Sequence, residues 1–270
     1  MIKLRLGCLV GGIILLLQPA LCHPHHDGLD AVDGPLPTPP ATTVSPIPSV
    51  VPDPIPPETR AYWMKRALSV LKSQSPCPFA AFAAVVVDHS DPLTKGELIC
   101  EGLNSVAEDA NPTLHGEVAA INNCSRILQG PRYKLAPDAA LAAFGKLSLY
   151  TTAEPCPMCA AAIRWAGFRE CIYATSQFGL VGAGWGQIFI TTKEVFARSK
   201  GLGANTTLVP GVLSNLTDPF FAWQYNPTAA CPVGCARDGQ GLCAPDGPAP
   251  VPDPPVGGFE RMDVVGTEEL

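Results

Sequence analysis

"LSLYTTAEPCPMCAAAIRWAGFRECIYAT", residues 147–175, sets two short runs rich in strand formers on either side of an alanine-rich stretch. "LSLYTT" (147–152) and "ECIYAT" (170–175) read as strands. The segment between them reads as a helix starting near Cys156, with Pro157 in its first turn, where a missing N–H is harmless. Working outward, "ETRAYWMKRALSVLKSQ" follows two prolines and puts Trp63, Ala67, Val70 and Leu71 on one helical face. "FAAVVVD" reads as a buried strand, and "ELICEGLN" as a second strand that can pair with it. A helix begins near His115, another runs from about Thr191 to Lys200, and "TTLVPGVL" reads as a further strand. Strands alternating with helices predict an α/β layered domain with helices packed on a mixed sheet.

The flanks of this domain have a different composition. "MIKLRLGCLVGGIILLLQPALC" carries Lys3 and Arg5 ahead of an apolar run from Leu6 to Leu17, then small residues. That pattern predicts a signal peptide at 1–22, since the run is well short of the roughly 20 apolar residues a membrane span needs. Residues 23–57 contain eleven prolines and predict a disordered linker. A second Pro/Gly-rich stretch starts at Ala244, so 244–270 is expected to be a disordered tail. Between them lie a domain at 58–218 and a cysteine-containing extension at 219–243. The expected localisation is secreted, with no membrane attachment once the signal is removed.

The net charge of −6 belongs mostly to the flanks. From Glu58 to Asn226, 14 lysines and arginines face 13 acidic residues, so composition gives no support for a nucleic-acid backbone as partner. Sequons at Asn123, Asn205 and Asn215 fit a secreted glycoprotein, with Asn123 the doubtful one because it lies in the expected helix. Outside the signal and the C-x-x-C turn, seven cysteines remain: Cys77, Cys100, Cys124, Cys171, Cys231, Cys235 and Cys243. In a secreted chain these mostly pair, the odd number leaves at least one over, and Cys100 and Cys171 read equally as plain core residues of strands. The tail cluster "CPVGCARDGQGLC" has irregular spacing and no histidine, which favours disulfides over a metal site.

Two helix starts carry unusual residues. "NPTLHGEVAAI" puts His115 and Glu117 at an N-terminus, and "TTAEPCPMCAAAI" puts Cys156 and Cys159 on one side of one turn. Two thiolates and an imidazole are ligands zinc prefers, and three protein ligands leave a fourth position open for catalysis. Helix N-termini lower thiol pKa, which favours the metal-binding thiolate. A glutamate nearby can move a proton to and from water held on the metal.

H-x-E followed by P-C-x-x-C resembles the zinc-dependent cytidine/deoxycytidylate deaminase superfamily. The resemblance extends over roughly residues 60 to 216, through "PFAAFAAVVVD", "ELICEGLN" and "LVPGVLSN" in the family's order. It implies a three-layer α-β-α fold with a five-stranded mixed sheet, and one Zn2+ per chain held by His115, Cys156 and Cys159. It further implies Glu117 as proton shuttle while hydroxide attacks an amino-bearing ring carbon and ammonia leaves. Asn104 and Phe82 match substrate-binding positions, and the resemblance points to a homodimer. "TLHGE" is similar to fungal cytosine deaminases, whereas "NPTLH" with "EPCPMC" is similar to guanine deaminases and tRNA adenosine deaminases. The expected partner is a small-molecule nucleobase or nucleoside, with guanine slightly ahead of cytosine. The alternatives are an RNA adenosine deaminase of the same chemistry and a non-catalytic secreted protein stapled by zinc. The insertion "QGPRYKLAPDAALAAFGK" and the loop "FGLVGAGWGQIF" are expected near the pocket entrance, with Trp185 either stacking on a base or packing.

Overall fold

The computed structural model describes residues 55–73 and 75–247. The signal peptide, nearly all of the linker and the tail beyond residue 247 lie outside them. After α1 (Pro57–Lys72) come β1 (Ala83–Asp88), β2 (Glu97–Leu103), α2 (Gly116–Gln129), α3 (Pro137–Ala143) and β3 (Leu147–Ala153). Then follow α4 (Pro157–Ala166), β4 (Glu170–Thr175), α5 (Gln177–Gly182), α6 (Thr192–Arg198), β5 (Thr207–Val209) and α7 (Ser214–Ala222). A small hairpin, β6 (Cys235–Arg237) and β7 (Cys243–Pro245), ends the described chain.

The main sheet has the order β2-β1-β3-β4-β5. β1 is antiparallel to both β2 and β3, while β3, β4 and β5 run parallel, so the sheet is mixed as expected. Its strands β3 and β4 are buried along their whole length because both faces are covered, and alternate residues serve opposite layers. Ala84, Val86, Leu149 and Cys171 pack with Ala120, Leu128 and Ile163 of α2 and α4. Val85, Val87, Tyr150 and Ile172 pack with Trp63, Met64, Ala67 and Val70 of α1. The resulting three layers are the α/β architecture read from the sequence.

Four details differ from the sequence reading. The "TTLVPGVL" strand shrinks to β5, because Pro210 has no N–H for a ladder and Leu213 turns into the left-handed region with φ +57°. The insertion between α2 and β3, expected near the pocket entrance, forms α3 and sends Ala140 and Phe144 into the main core. α7 and the β6–β7 hairpin had no clear periodic signal, and α7 carries the chain without a break from the domain into the extension. Cys100 is not a lone core thiol: it is bonded to Cys124, with Cα atoms 5.2 Å apart, joining β2 to α2. That closeness depends on Gly102, where a Cβ would fall onto the Ala120 nitrogen and the Gly116 carbonyl. Cys77–Cys235 and Cys231–Cys243 are the other disulfides among the described residues, and Cys171 is left as a buried thiol.

Candidate active site

α2 and α4 begin alike. His115 is the N-cap of α2 and Cys156 the N-cap of α4, both extended, and their carbonyls accept the first helical bonds, from Ala119 and Ala160, each at 2.8 Å. Neither side chain caps its own helix, so both are available for other work. The approach to α4 is braced by Glu154, which is buried. Its carboxylate accepts from the Gln177 N–H at 2.9 Å and the Thr192 N–H at 3.0 Å, the first residues of α5 and α6. An anion suits two helix N-termini. The Thr192 hydroxyl adds a bond to the Pro155 carbonyl at 2.8 Å, so the Glu-Pro-Cys turn is fixed from two helices. The sequence reading missed Glu154; its one signal is an acidic residue closing an apolar strand just before the Pro-Cys turn.

The Nδ1 or Nε2 of His115 and the two Sγ atoms of Cys156 and Cys159 all lie within 4.8 Å of one another. Cys156 Sγ is 3.6 Å from His115 Nδ1. Cys159 is fully buried on the inner face of α4, while His115 and Cys156 are half-buried. The hydrogen bond from Cys159, aided by His115, holds the Cys156 thiol down to about 4. The same bond, with burial, pushes the Cys159 thiol strongly up. The shared hydrogen bond and burial therefore favour one thiolate here and not two. A divalent cation removes that conflict, and two sulfurs with one imidazole form the donor set of a three-ligand zinc site, so the residues fit the metal.

Glu117 sits in the first turn of α2, 3% exposed. Burial pushes its carboxyl above the usual range, and the nearby Cys156 acts in the same direction. The Thr151 hydroxyl of β3 reaches Glu117 Oε1 at 3.4 Å. Between His115 and Glu117, Gly116 has a structural reason: a Cβ there would lie 2.8 Å from the Phe82 carbonyl oxygen.

Phe82 and Asn104 meet at that same carbonyl, which accepts from the Asn104 N–H at 2.9 Å. Asn104 Oδ1 is buried without a hydrogen-bond partner in the protein. The ring of Phe82 packs against Trp185 and Phe221, at 5.2 and 5.1 Å between centroids. Trp185 is packed rather than free: its indole N–H donates to the Phe221 carbonyl at 3.1 Å.

The family model for the zinc-binding region of cytidine and deoxycytidylate deaminases matches residues 57–175. The chain is 34% identical over 146 residues to the guanine deaminase of Bacillus subtilis (strain 168), a match covering 53% of this chain and 79% of that one. It is 30% identical over 94 residues to a tRNA-specific adenosine deaminase of Rickettsia bellii (strain RML369-C), covering 35% of this chain and 54% of the relative. A probable cytosine deaminase of Schizosaccharomyces pombe (strain 972) is 31% identical over 100 residues, covering 37% and 50%. In the last two cases the match spans about half of the relative's own length.

Proposed function

The chain belongs to the cytidine and deoxycytidylate deaminase zinc-binding family, and from that premise we propose that it hydrolyses the amino group of a free nucleobase or nucleoside, with guanine ahead of cytosine. The observation that carries the reading is Glu117: a carboxyl buried in the first turn of α2, against the cysteines that would share a metal with His115. A structural zinc staple needs no such group.

In this proposal His115, Cys156 and Cys159 hold zinc, and Glu117 moves the proton. Zinc, when bound, supplies a Lewis acid that makes hydroxide available near neutral pH. The raised pKa of Glu117 lets its carboxyl keep a proton taken from water long enough to hand it to the departing nitrogen. Asn104 Oδ1, with no protein partner, accepts from an N–H of the base, and Phe82 and its neighbours form an apolar wall. The extent of the match to guanine deaminase, 79% of that protein, supports a purine base over cytosine. The near-neutral domain supports a free base over an RNA, whose phosphates call for a basic footprint. Three disulfides among the described residues support an oxidising, secreted setting.

The test is ammonia release from a panel of bases, nucleosides and a tRNA anticodon stem-loop, with zinc measured in the same preparation. Guanine should be the best substrate, and Glu117→Ala should keep the metal and lose turnover. Undiminished turnover in that variant overturns the mechanism. Faster conversion of the stem-loop than of any base replaces the substrate with RNA.

A further inference from the structure

The loop between α1 and β1 delivers Phe82 to the site; the Thr152 hydroxyl of β3 holds its last turn through the Ala81 carbonyl at 2.8 Å, and the rest of the loop is gripped from the C-terminal extension. Cys77, at its start, is bonded to Cys235 across a sequence separation of 158. Ala80 sits in the left-handed region at φ +51°, a conformation a residue with a Cβ adopts only when its surroundings hold it there. Its N–H donates to Gln224 Oε1 at 3.1 Å. Gln224 Nε2 in turn donates to the Phe220 carbonyl at 2.9 Å and reaches the Pro78 carbonyl at 3.5 Å, so one amide grips the loop while anchored on α7. The Ala80 carbonyl then accepts from the Phe82 N–H at 2.7 Å, closing a tight turn.

Aromatic rings make the second grip. Phe79 packs on Trp223, and Trp185 packs on Phe79, Phe82 and Tyr225. The extension itself is tied by Arg237, whose guanidinium donates to the carbonyls of Trp223, Asn226 and Ala229. At the far end of the loop, the Phe82 carbonyl receives the Asn104 N–H and abuts Gly116, the residue between His115 and Glu117. A shift of the loop is thus a shift of Phe82 against Asn104 and the first turn of α2.

We propose that the C-terminal extension is a clamp on the substrate pocket, with Gln224 a positioning residue that acts through Ala80 and Phe82 to set Asn104 against the base. Its activity arm rests on the deaminase reading, while its structural arm does not. A cap that only stabilised the fold would need no contact with Ala80, and its loss would loosen α2 and α4 as well.

The experiment compares wild type with Gln224→Ala and Gln224→Glu, the second keeping an acceptor for the Ala80 N–H. Amide hydrogen exchange at Ala80, Phe82 and Asn104 should accelerate by about tenfold or more in Gln224→Ala, with α2 and α4 unchanged. With guanine, KM should rise about tenfold while kcat stays within about twofold and zinc content is constant. Gln224→Glu keeps the acceptor for Ala80 but loses the Nε2 donor to Phe220 and Pro78, so it should recover only part of both effects. Unchanged exchange at the three amides, uniform acceleration that includes α2 and α4, or a fall in kcat at constant KM would each overturn the clamp. A wild-type protein that releases no ammonia from any base defeats the substrate reading alone, and amide exchange still decides the clamp.

Discussion

Cysteines do opposite work in two regions of this molecule. Cys156 and Cys159 are three residues apart at the start of α4, reduced, in a helix whose Ala160 and Ile163 are fully buried in the main core. Cys231 and Cys243 are 12 apart in an extension whose own core is little more than Trp223 among cysteines, and they are bonded. At the start of α4 the sheet and its helices already supply the scaffold and the two sulfurs stay reduced, although Cys100–Cys124 also joins β2 to α2 within the same core. Where too little apolar surface is buried to fix the backbone, sulfur supplies the scaffold itself.

The sharpest test of that division is at the chemical end. Glu117→Gln should lower kcat by about 10⁴-fold, near the top of the range for a general acid–base group, while zinc content and melting temperature stay close to wild type. Loss of the metal in that variant would mean Glu117 is part of the scaffold and not of the chemistry.

Next in size, Gly116→Ala drives a methyl into the Phe82 carbonyl and should cost about 1–3 kcal/mol of stability and about 100-fold in turnover, read by denaturant unfolding and initial rates. An active, stable Gly116→Ala enzyme would show that the approach of Phe82 to α2 is incidental. Cys231→Ser with Cys243→Ser removes a short loop closure and should lower stability by about 3 kcal/mol without changing zinc content or kcat. A lost metal in that double variant would erase the contrast between the two regions. A chelator should do the reverse: it should make Cys156 and Cys159 reactive toward a thiol reagent and leave the three disulfides intact.

The smallest effect is on pH dependence and lies away from both regions. Burial lowers the pKa of His89, against an opposing pull from Glu170. Its Nε2 lies 2.9 Å from the Tyr150 hydroxyl, which burial keeps protonated and therefore able to donate. As pH falls, the unfolded chain protonates this histidine near 6.5 while the folded chain resists. Its contribution is complete above that value and declines below it, so His89→Gln should flatten the acid side of a stability profile measured by urea unfolding.

Much of the candidate site was legible because its signals are local. His115, Glu117, Cys156 and Cys159 lie at two helix starts, where chain spacing alone fixes which atoms share a turn. The strands β1, β3 and β4 were legible too, since a sheet covered on both faces draws on short runs rich in apolar, β-branched and aromatic residues. Glu154 was not, because one acidic residue among apolar neighbours says nothing of the two helices it braces until those helices are docked. Gln224 was equally silent: an amide 144 residues from Ala80 has no periodicity to betray it.

The layered fold, the grouping of His115, Cys156 and Cys159 and the place of Glu117 beside them were legible from the chain, because each follows from residue type at short spacing. Which cysteines pair, why a glycine stands between His115 and Glu117, and how the 219–243 extension bears on the loop before β1 emerged with the packed structure. Those outcomes depend on distances between segments far apart in the chain, and such distances exist only once the core has closed around them.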